Sequence, residues 1–330
     1  MKIRSYYWFV ATAALSVSML SAVPLAHADT YPSKVISLVV PFAAGGPTDT
    51  VARVIGQAMS SDLKQQVVIE NVAGAGGTVA AARVARAAPD GYTLFIHHIG
   101  HSTAPALYRK LSFNTIDDFE PIGLVTDVPM TLIARKDFPA KDLKELIAYV
   151  RANKDKVTLA NAGLGAASHL CGMLFMSAIQ TDLTTVPFKG TGPAMNDLLG
   201  GQVDIMCDQT TNTTGQIKGG KVKAYGVTSM ARIPSLPDVP TMHEGGLANF
   251  EVVVWHGVYA PKGTPKPIIE RINKALKAAL KEPNVRQRFA ELGTEPVADN
   301  RVTPEALRAH LKAEIDKWGP IIKKAGVYAD

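Results

Sequence analysis

Val40-Pro41-Phe42-Ala43-Ala44-Gly45-Gly46-Pro47-Thr48-Asp49 is the stretch on which the fold turns. Before it, Lys34-Val35-Ile36-Ser37-Leu38-Val39-Val40 is an apolar, β-branched run that reads as a buried strand. After it, Val51, Val54, Ile55, Ala58 and Met59 recur at one-face spacing, so residues 47–64 read as a helix. Pro47 presets the first helical turn. Gly45 and Gly46 let the backbone turn tightly and approach a ligand with no Cβ in the way. Free N–H groups at the helix start, with the helix dipole behind them, make an anion site.

Working outward, the strand–loop–helix unit recurs. Val67-Val68-Ile69-Glu70 is the next strand, and Gly74, Gly76 and Gly77 open an Ala-rich helix to about Ala87. Pro89-Asp90-Gly91 is a turn, and residues 92–97 form a third strand. This alternation predicts an α/β lobe with a mainly parallel sheet. It then starts again. Apolar runs at 122–125 and 130–135 flank Thr126-Asp127-Val128-Pro129, followed by helices over 142–153, 168–179 and 192–199. Strands are expected at 157–160, 184–188, 203–207 and 222–228. Val252-Val253-Val254-Trp255 leads into long helices over 267–281 and from the Thr303-Pro304 start to about Lys317. The C-terminal segment is expected to complete the first lobe. That divides the chain into 29–127 plus 254–330 for one lobe and 128–253 for the other, with hinge crossings near Thr126–Met130 and Phe250–Trp255.

The second lobe carries a junction built like the first: Asn161-Ala162-Gly163-Leu164-Gly165-Ala166-Ala167-Ser168-His169. Both junctions lie at carboxyl ends of strands, where open α/β sheets bind ligands. Two helix N-termini facing each other across a cleft can hold one carboxylate from both sides. Neither loop contains Arg or Lys, so N–H groups and hydroxyls must do the binding, and such bonds to a charged ligand are strong when desolvated.

Several motifs together resemble the Bug-type solute-binding proteins of tripartite tricarboxylate transporters. They are Tyr31-Pro32, the 40–49 stretch, Glu70-Asn71-Val72-Ala73-Gly74-Ala75-Gly76-Gly77, Pro89-Asp90-Gly91-Tyr92-Thr93-Leu94 and Pro105-Ala106-Leu107-Tyr108. Val186-Pro187-Phe188-Lys189-Gly190, Leu198-Leu199-Gly200-Gly201-Gln202-Val203-Asp204 and Trp255-His256-Gly257 with Ala260-Pro261-Lys262-Gly263-Thr264-Pro265 complete the set. Order and spacing fit over essentially the whole chain after the leader.

The resemblance implies a two-lobe periplasmic-binding-protein fold of type II, the Venus flytrap, with ligand carboxylates held by the two loops. Carried over, Phe42, Gly45, Gly46, Thr48 and Asp49 belong to the first loop, and Asn161, Ala162, Gly163, Ser168 and His169 to the second. Thr191 and Asp208 line the second-lobe wall. The family's second loop often carries Ser where this chain has Gly163-Leu164-Gly165-Ala166-Ala167, which suggests a more apolar wall. The implied partners are a small carboxylate and the membrane components of the transporter, with no cofactor.

The ends and composition agree with export. Lys2 and Arg4, an apolar run from about Trp8 to Val23, and Ala26-His27-Ala28 are the parts of a secretory signal peptide over 1–28. The run is short of the roughly 20 residues that span a bilayer. Cleavage after Ala28 lowers the formal charge from +6 to +4, and no basic run is dense enough for nucleic acid. A periplasmic monomer is expected. Cys171 and Cys207 read as free, buried thiols, with a bridge between them as the alternative.

His97, His98 and His101 cluster at a strand end. Gly100 is expected to break the segment, and no Cys or carboxylate completes a metal set, so no metal is expected. His98 or His101 instead offers a hydrogen-bond donor to the ligand's far end. Gly74-Ala75-Gly76-Gly77-Thr78-Val79 lacks the third glycine of a dinucleotide fingerprint. No G-x-S-x-G elbow is present, and Ser168 and His169 are adjacent, so an enzyme is not expected. The ligand is expected to be a dicarboxylate. The apolar second loop and the histidines would suit an aromatic one such as terephthalate, a type found in this family. The rivals are a periplasmic hydrolase of carboxylate esters or amides, and an amino-acid-binding protein in which Asp208 meets an ammonium group.

Overall fold

The computed structural model describes residues 31–326, 328 and 329. The signal peptide lies outside the described residues. In chain order the elements are β1 (Ile36–Val40), α1 (Pro47–Leu63), β2 (Val67–Asn71), α2 (Thr78–Ala85), β3 (Thr93–His98), α3 (Gly100–Leu107), β4 (Phe119–Arg135), α4 (Leu143–Ala152), β5 (Thr158–Asn161) and α5 (Ala167–Ile179). Then come β6 (Thr184–Pro187), α6 (Thr191–Leu199), β7 (Ile205–Gln209), α7 (Thr210–Lys218), β8 (Val222–Val227), β9 (Val253–Pro261), α8 (Lys266–Lys281), α9 (Pro283–Glu291) and α10 (Pro304–Ala325).

The strands run in the order β2-β1-β3-β9-β4-β7-β5-β6, with β8 also paired to β4. In the first lobe β1 is parallel to β2 and β3, and β9 is antiparallel to β3. In the second, β5 is parallel to β6 and β7. Strands covered on both faces must be apolar on both, and Ile36, Leu38, Val39 and Val40 of β1 are all buried. Amphipathic helices supply the cover: α1 buries Val51, Ala52, Ile55, Ala58 and Met59, and α8 buries Ile269, Ile272, Leu276, Ala279 and Leu280. Among the described residues no helix is long and apolar enough to cross a membrane.

The two apolar runs expected at 122–125 and 130–135 are one strand. β4 pairs antiparallel with β9 from Phe119↔Pro261 to Pro129↔Val253, then exchanges partners and pairs with β7 from Met130↔Gln209 onward. The chain crosses between lobes on β4 and β9, and the crossings are hydrogen-bonded neighbours, with Thr126 opposite His256 and Asp127 opposite Trp255. A paired ribbon of this kind can bend and twist while keeping its ladder.

Three helices have no counterpart in the periodicity reading. α3 begins at Gly100, the residue expected to break helix. α7 is Thr-Thr-Asn-Thr-Thr-Gly-Gln-Ile-Lys, poor in helix formers, and α9 is a short, mostly polar turn of chain. Burial holds α3 and α7 in place: His101, Ser102 and Thr103 on one, and Thr210, Thr213 and Thr214 on the other, are inaccessible. Tertiary packing overrides weak local propensity here.

The expectation of free thiols is corrected. Cys171 on α5 and Cys207 on β7 form a disulfide, with Cα atoms 6.1 Å apart. They lie 36 residues apart in sequence, so only the packing of α5 on β7 could show that they meet. Closing a loop of this length restricts the unfolded chain, and loss of the bridge should destabilise the fold by about 2–4 kcal/mol. Urea denaturation with and without reductant measures this, and an unmoved midpoint would refute it.

Candidate ligand-binding site

A cavity between the lobes is lined by Phe42, Pro47, Thr48, His98, Ala162, Ala166, Ala167, Ser168, Thr191, Asp208 and Gln209. The cavity is small, about 10 Å³. Helices α1, α5, α6 and α7 all begin here, and none of them has a side-chain N-cap. Their first-turn N–H groups are therefore left for a ligand. Among the described residues no Lys or Arg lines the cavity.

The lobes are closed on each other. The Ala43 N–H donates to the Lys189 carbonyl at 2.9 Å, Thr103 Oγ1 to the Gly165 carbonyl at 3.2 Å, and Tyr108 Oη to the Leu164 carbonyl at 3.1 Å. Glycines make the fit possible. A Cβ on Gly192 would stand 2.7 Å from the Ala44 carbonyl, and one on Gly76 would stand 2.0 Å from that of Leu164.

Seven of the residues expected to bind ligand line the cavity: Phe42, Thr48, His98, Ala162, Ser168, Thr191 and Asp208. Gly45, Gly46, Asp49, Asn161, Gly163 and His169 do not line it but belong to the loops that do. Asp49 accepts from the Gly45 N–H at 3.0 Å, Arg53 Nε at 2.9 Å and Asn71 Nδ2 at 3.0 Å, which bends the 45–49 loop. Burial pushes the Asp49 pKa up, but these hydrogen bonds together hold it below the usual carboxylate value. Gly45 takes a φ of +81°, which glycine tolerates, and Gly46 is the residue before α1. In the second loop, Asn161 Oδ1 accepts from the Gly163 N–H at 2.9 Å, and His169 Nδ1 accepts from the Gly165 N–H at 3.3 Å.

The histidines divide in the same way. His98 Nδ1 accepts from the Gly100 N–H at 2.9 Å, so its proton resides on Nε2, ready to donate. Its ring stacks on Phe42 at 4.9 Å. His101 instead packs inside the first lobe, edge-on to Phe119, with Nε2 at 3.1 Å from the Thr115 carbonyl. Burial lowers the pKa of His101 to about 3, and that of His98 well below its ordinary value. Among the described residues no group of three His, Cys, Asp or Glu side chains could hold a metal ion.

Pro47, Ala166, Ala167 and Gln209 complete the lining and were not anticipated. Gln209 went unseen because the strand was read only to Cys207 and α7 was not read at all, which hid the β7–α7 junction. The signal was available: Asp208-Gln209-Thr210 passes from the end of a strand into a helix, as the other two junctions join strand to helix. His256 on β9 was also missed. Its Nε2 lies 3.3 Å from Thr48 Oγ1 and orients that hydroxyl at the cavity wall.

The cavity thus has three kinds of wall. N–H groups and the Thr48, Ser168 and Thr191 hydroxyls line the first. Phe42, Ala162 and Ala166 form an apolar cluster, the second. Asp208 and Gln209 form the third side. Asp208 is buried, and desolvation raises its pKa to about 7 even though Asn212, the Gln209 backbone and Thr191 hydrogen-bond to it.

Comparison with known proteins agrees with this geometry. The sequence pattern of the tripartite tricarboxylate transporter family receptor (TctC) matches residues 51–327. The structure of the periplasmic binding protein BugD is 56% identical, with a TM-score of 0.88 over 90% of this chain and 99% of that one. MatC from Rhodopseudomonas palustris, solved with bound malate, is 45% identical, with a TM-score of 0.85 over 88% of this chain and 100% of its own. Another R. palustris protein, solved with adipate, is 32% identical, with a TM-score of 0.85 over 90% of this chain and 99% of its own.

Proposed function

This chain belongs to the tripartite tricarboxylate transporter receptor family, and on that premise we propose that it captures a short dicarboxylate between its lobes and delivers it to the membrane components of such a transporter. It is a Bug-type solute-binding protein and not an enzyme. The observation that carries the ligand reading is a cation-free cavity at which α1, α5, α6 and α7 present uncapped N-termini beside an apolar strip. The malate and adipate held by its structural relatives support the same class. A narrow cavity with an apolar strip favours a short aliphatic chain over an aromatic ring. The lobes are proposed to be 29–127 plus 254–330 and 128–253, with β4 and β9 as the hinge. The signal peptide is proposed to be cleaved after Ala28, releasing a periplasmic monomer.

Closure needs a ligand that binds the closed form better than the open one. Such a ligand stabilises the fold by RT ln(1 + [L]/Kd), roughly 2.7 kcal/mol at 100 times Kd. A thermal-shift screen of succinate, malate, adipate, terephthalate and monocarboxylic amino acids tests the reading. Short dicarboxylates should give the largest shifts; if only the amino acids did so, the dicarboxylate reading fails. Thr48 lies in the cavity wall with 2% exposure. Thr48→Tyr should fill the cavity and abolish binding, seen by calorimetry, while the circular dichroism spectrum stays unchanged. Retained affinity would move the ligand elsewhere.

A further inference from the structure

Asp208 and Gln209 stand apart from the rest of the cavity because they accept where the other walls donate. Asp208 is 1% exposed at the end of β7. Its Oδ2 accepts from Asn212 Nδ2 at 2.6 Å, and among the described residues it has no ion-pair partner. The Gln209 backbone and Thr191 also hydrogen-bond to it; a carboxylate has about four acceptor sites, so capacity for one further donor remains. Beside it, the buried Gln209 Oε1 has no hydrogen-bond partner. Buried acceptors left unpaired are unfavourable, and a buried charge more so. Yet an anionic ligand must sit within reach of this wall, because Asp208, Thr48, Ser168 and Thr191 line one small cavity.

We propose that Asp208, with Gln209, is the specificity determinant of this site: it selects, among short dicarboxylates, those carrying a hydrogen-bond donor next to one carboxyl group, a 2-hydroxyl or a 2-ammonium. This rests on the dicarboxylate reading above. The substituent pairs with the acceptor wall while the carboxylates take the helix N-termini. An unsubstituted diacid leaves Gln209 Oε1 without a partner and the Asp208 charge without a new donor, and it places like charges together. The raised pKa of Asp208 agrees, because a donor arriving against it favours the ionised form. Binding of the right ligand near pH 7 therefore releases protons. A ligand carboxylate pressed against Asp208 would take protons up.

The test is titration calorimetry of the mature chain with succinate, malate and aspartate, in buffers of low and high ionisation enthalpy. Sites built to hydrogen-bond a substituent reject analogues that lack it strongly. Malate or aspartate should therefore bind at least ~30-fold more tightly than succinate, with net proton release. The malate and aspartate arms tell hydroxyl from ammonium. Asp208→Leu should bring the preference to within about threefold, and Asp208→Asn should weaken aspartate more than malate. Wild-type protein that binds all three equally, or takes up protons with the preferred ligand, overturns this proposal alone. If wild type binds none of them, the dicarboxylate reading falls and this one with it. The proton count is read on wild type, so it decides the matter even if the Leu variant fails to fold.

Discussion

Gly192→Ala should weaken ligand binding by about 10- to 100-fold while leaving the unliganded protein as stable as before or slightly more so. Gly192 is the second residue of α6, and it is not among the glycines with positive φ. A helical Ala is favoured over Gly by roughly 0.5–1 kcal/mol. In the closed form, however, the new Cβ would meet the Ala44 carbonyl at 2.7 Å and backbone atoms of Gly45 and Gly46 at 3.1 Å. Those are backbone atoms of the other lobe, so no side chain can swing aside. Overpacking of this kind costs about 1–3 kcal/mol, and each 1.4 kcal/mol is about tenfold in affinity. The penalty falls on closure and not on folding, because the open lobes do not bring α6 against the 43–46 loop. Gly215→Ala is the control. It lies in α7 with nothing within 4 Å of its Cβ position, so it should gain the same helical stability and leave binding alone. Calorimetry and thermal melts of both variants read the two effects separately, and unchanged affinity in Gly192→Ala would refute closure by this contact.

The second large effect is in the pH dependence of stability. The folded pKa of Asp208 is raised from 3.8 to about 7 by burial. A raised pKa means that the folded protein holds the proton longer, so this group favours folding below pH 4 and loses that contribution as pH rises to 7. Above pH 7 the penalty of the buried charge is about 4 kcal/mol at most, at 1.36 kcal/mol per pKa unit. His101 and His256 act in the opposite direction. Burial lowers both to about 3, so below pH 6.5 the unfolded chain takes protons that the folded one does not. Each loses about 2 kcal/mol of stabilisation between pH 7.5 and 5. His97 and His98 are shifted in the same direction, also by burial.

In wild type the two trends partly cancel. Asp208→Asn removes one of them. The variant should be more stable than wild type at pH 8 by up to about 4 kcal/mol, with the advantage shrinking toward zero near pH 4. Its own stability should fall steeply with acid, since only the histidine trend remains. Denaturant midpoints at pH 8, 6 and 4 measure this. A variant less stable than wild type at pH 8 would mean that Asp208 is a structural acceptor first and a buried charge second. This variant serves the site as well: a charge kept at such expense in the unliganded cleft is understandable where a ligand donor is to meet it.

The strands and helices with strong periodicity were legible, from β1 and α1 through α8, because one buried face leaves a repeating apolar signature. So were two of the loops that line the cavity, whose Gly, Pro and hydroxyl residues announce a turn into a helix. Three things were not. Helices α3 and α7 are polar or β-branched and exist because their surroundings bury them, so nothing local marks them. The roles within each loop were also hidden. Asp49 and Thr48 are neighbours, yet one bends the loop behind the cavity and the other faces into it, because successive helical residues point about 100° apart. The fate of the histidines was hidden in the same way: His98 reaches the cavity and His101 turns to Phe113 and Phe119.

What the sequence by itself determined is the architecture of two α/β lobes, the placing of a glycine-bearing helix start in each, and the absence of cationic side chains from both loops. These are local properties, carried by period, turn chemistry and residue type. Only the tertiary structure decided that Cys171 reaches Cys207, that four helix starts share one cavity, and that Gly192 and Gly76 are the points where the lobes touch. Those facts depend on distances between segments tens of residues apart, and such distances arise when buried faces pack, which no window of sequence contains.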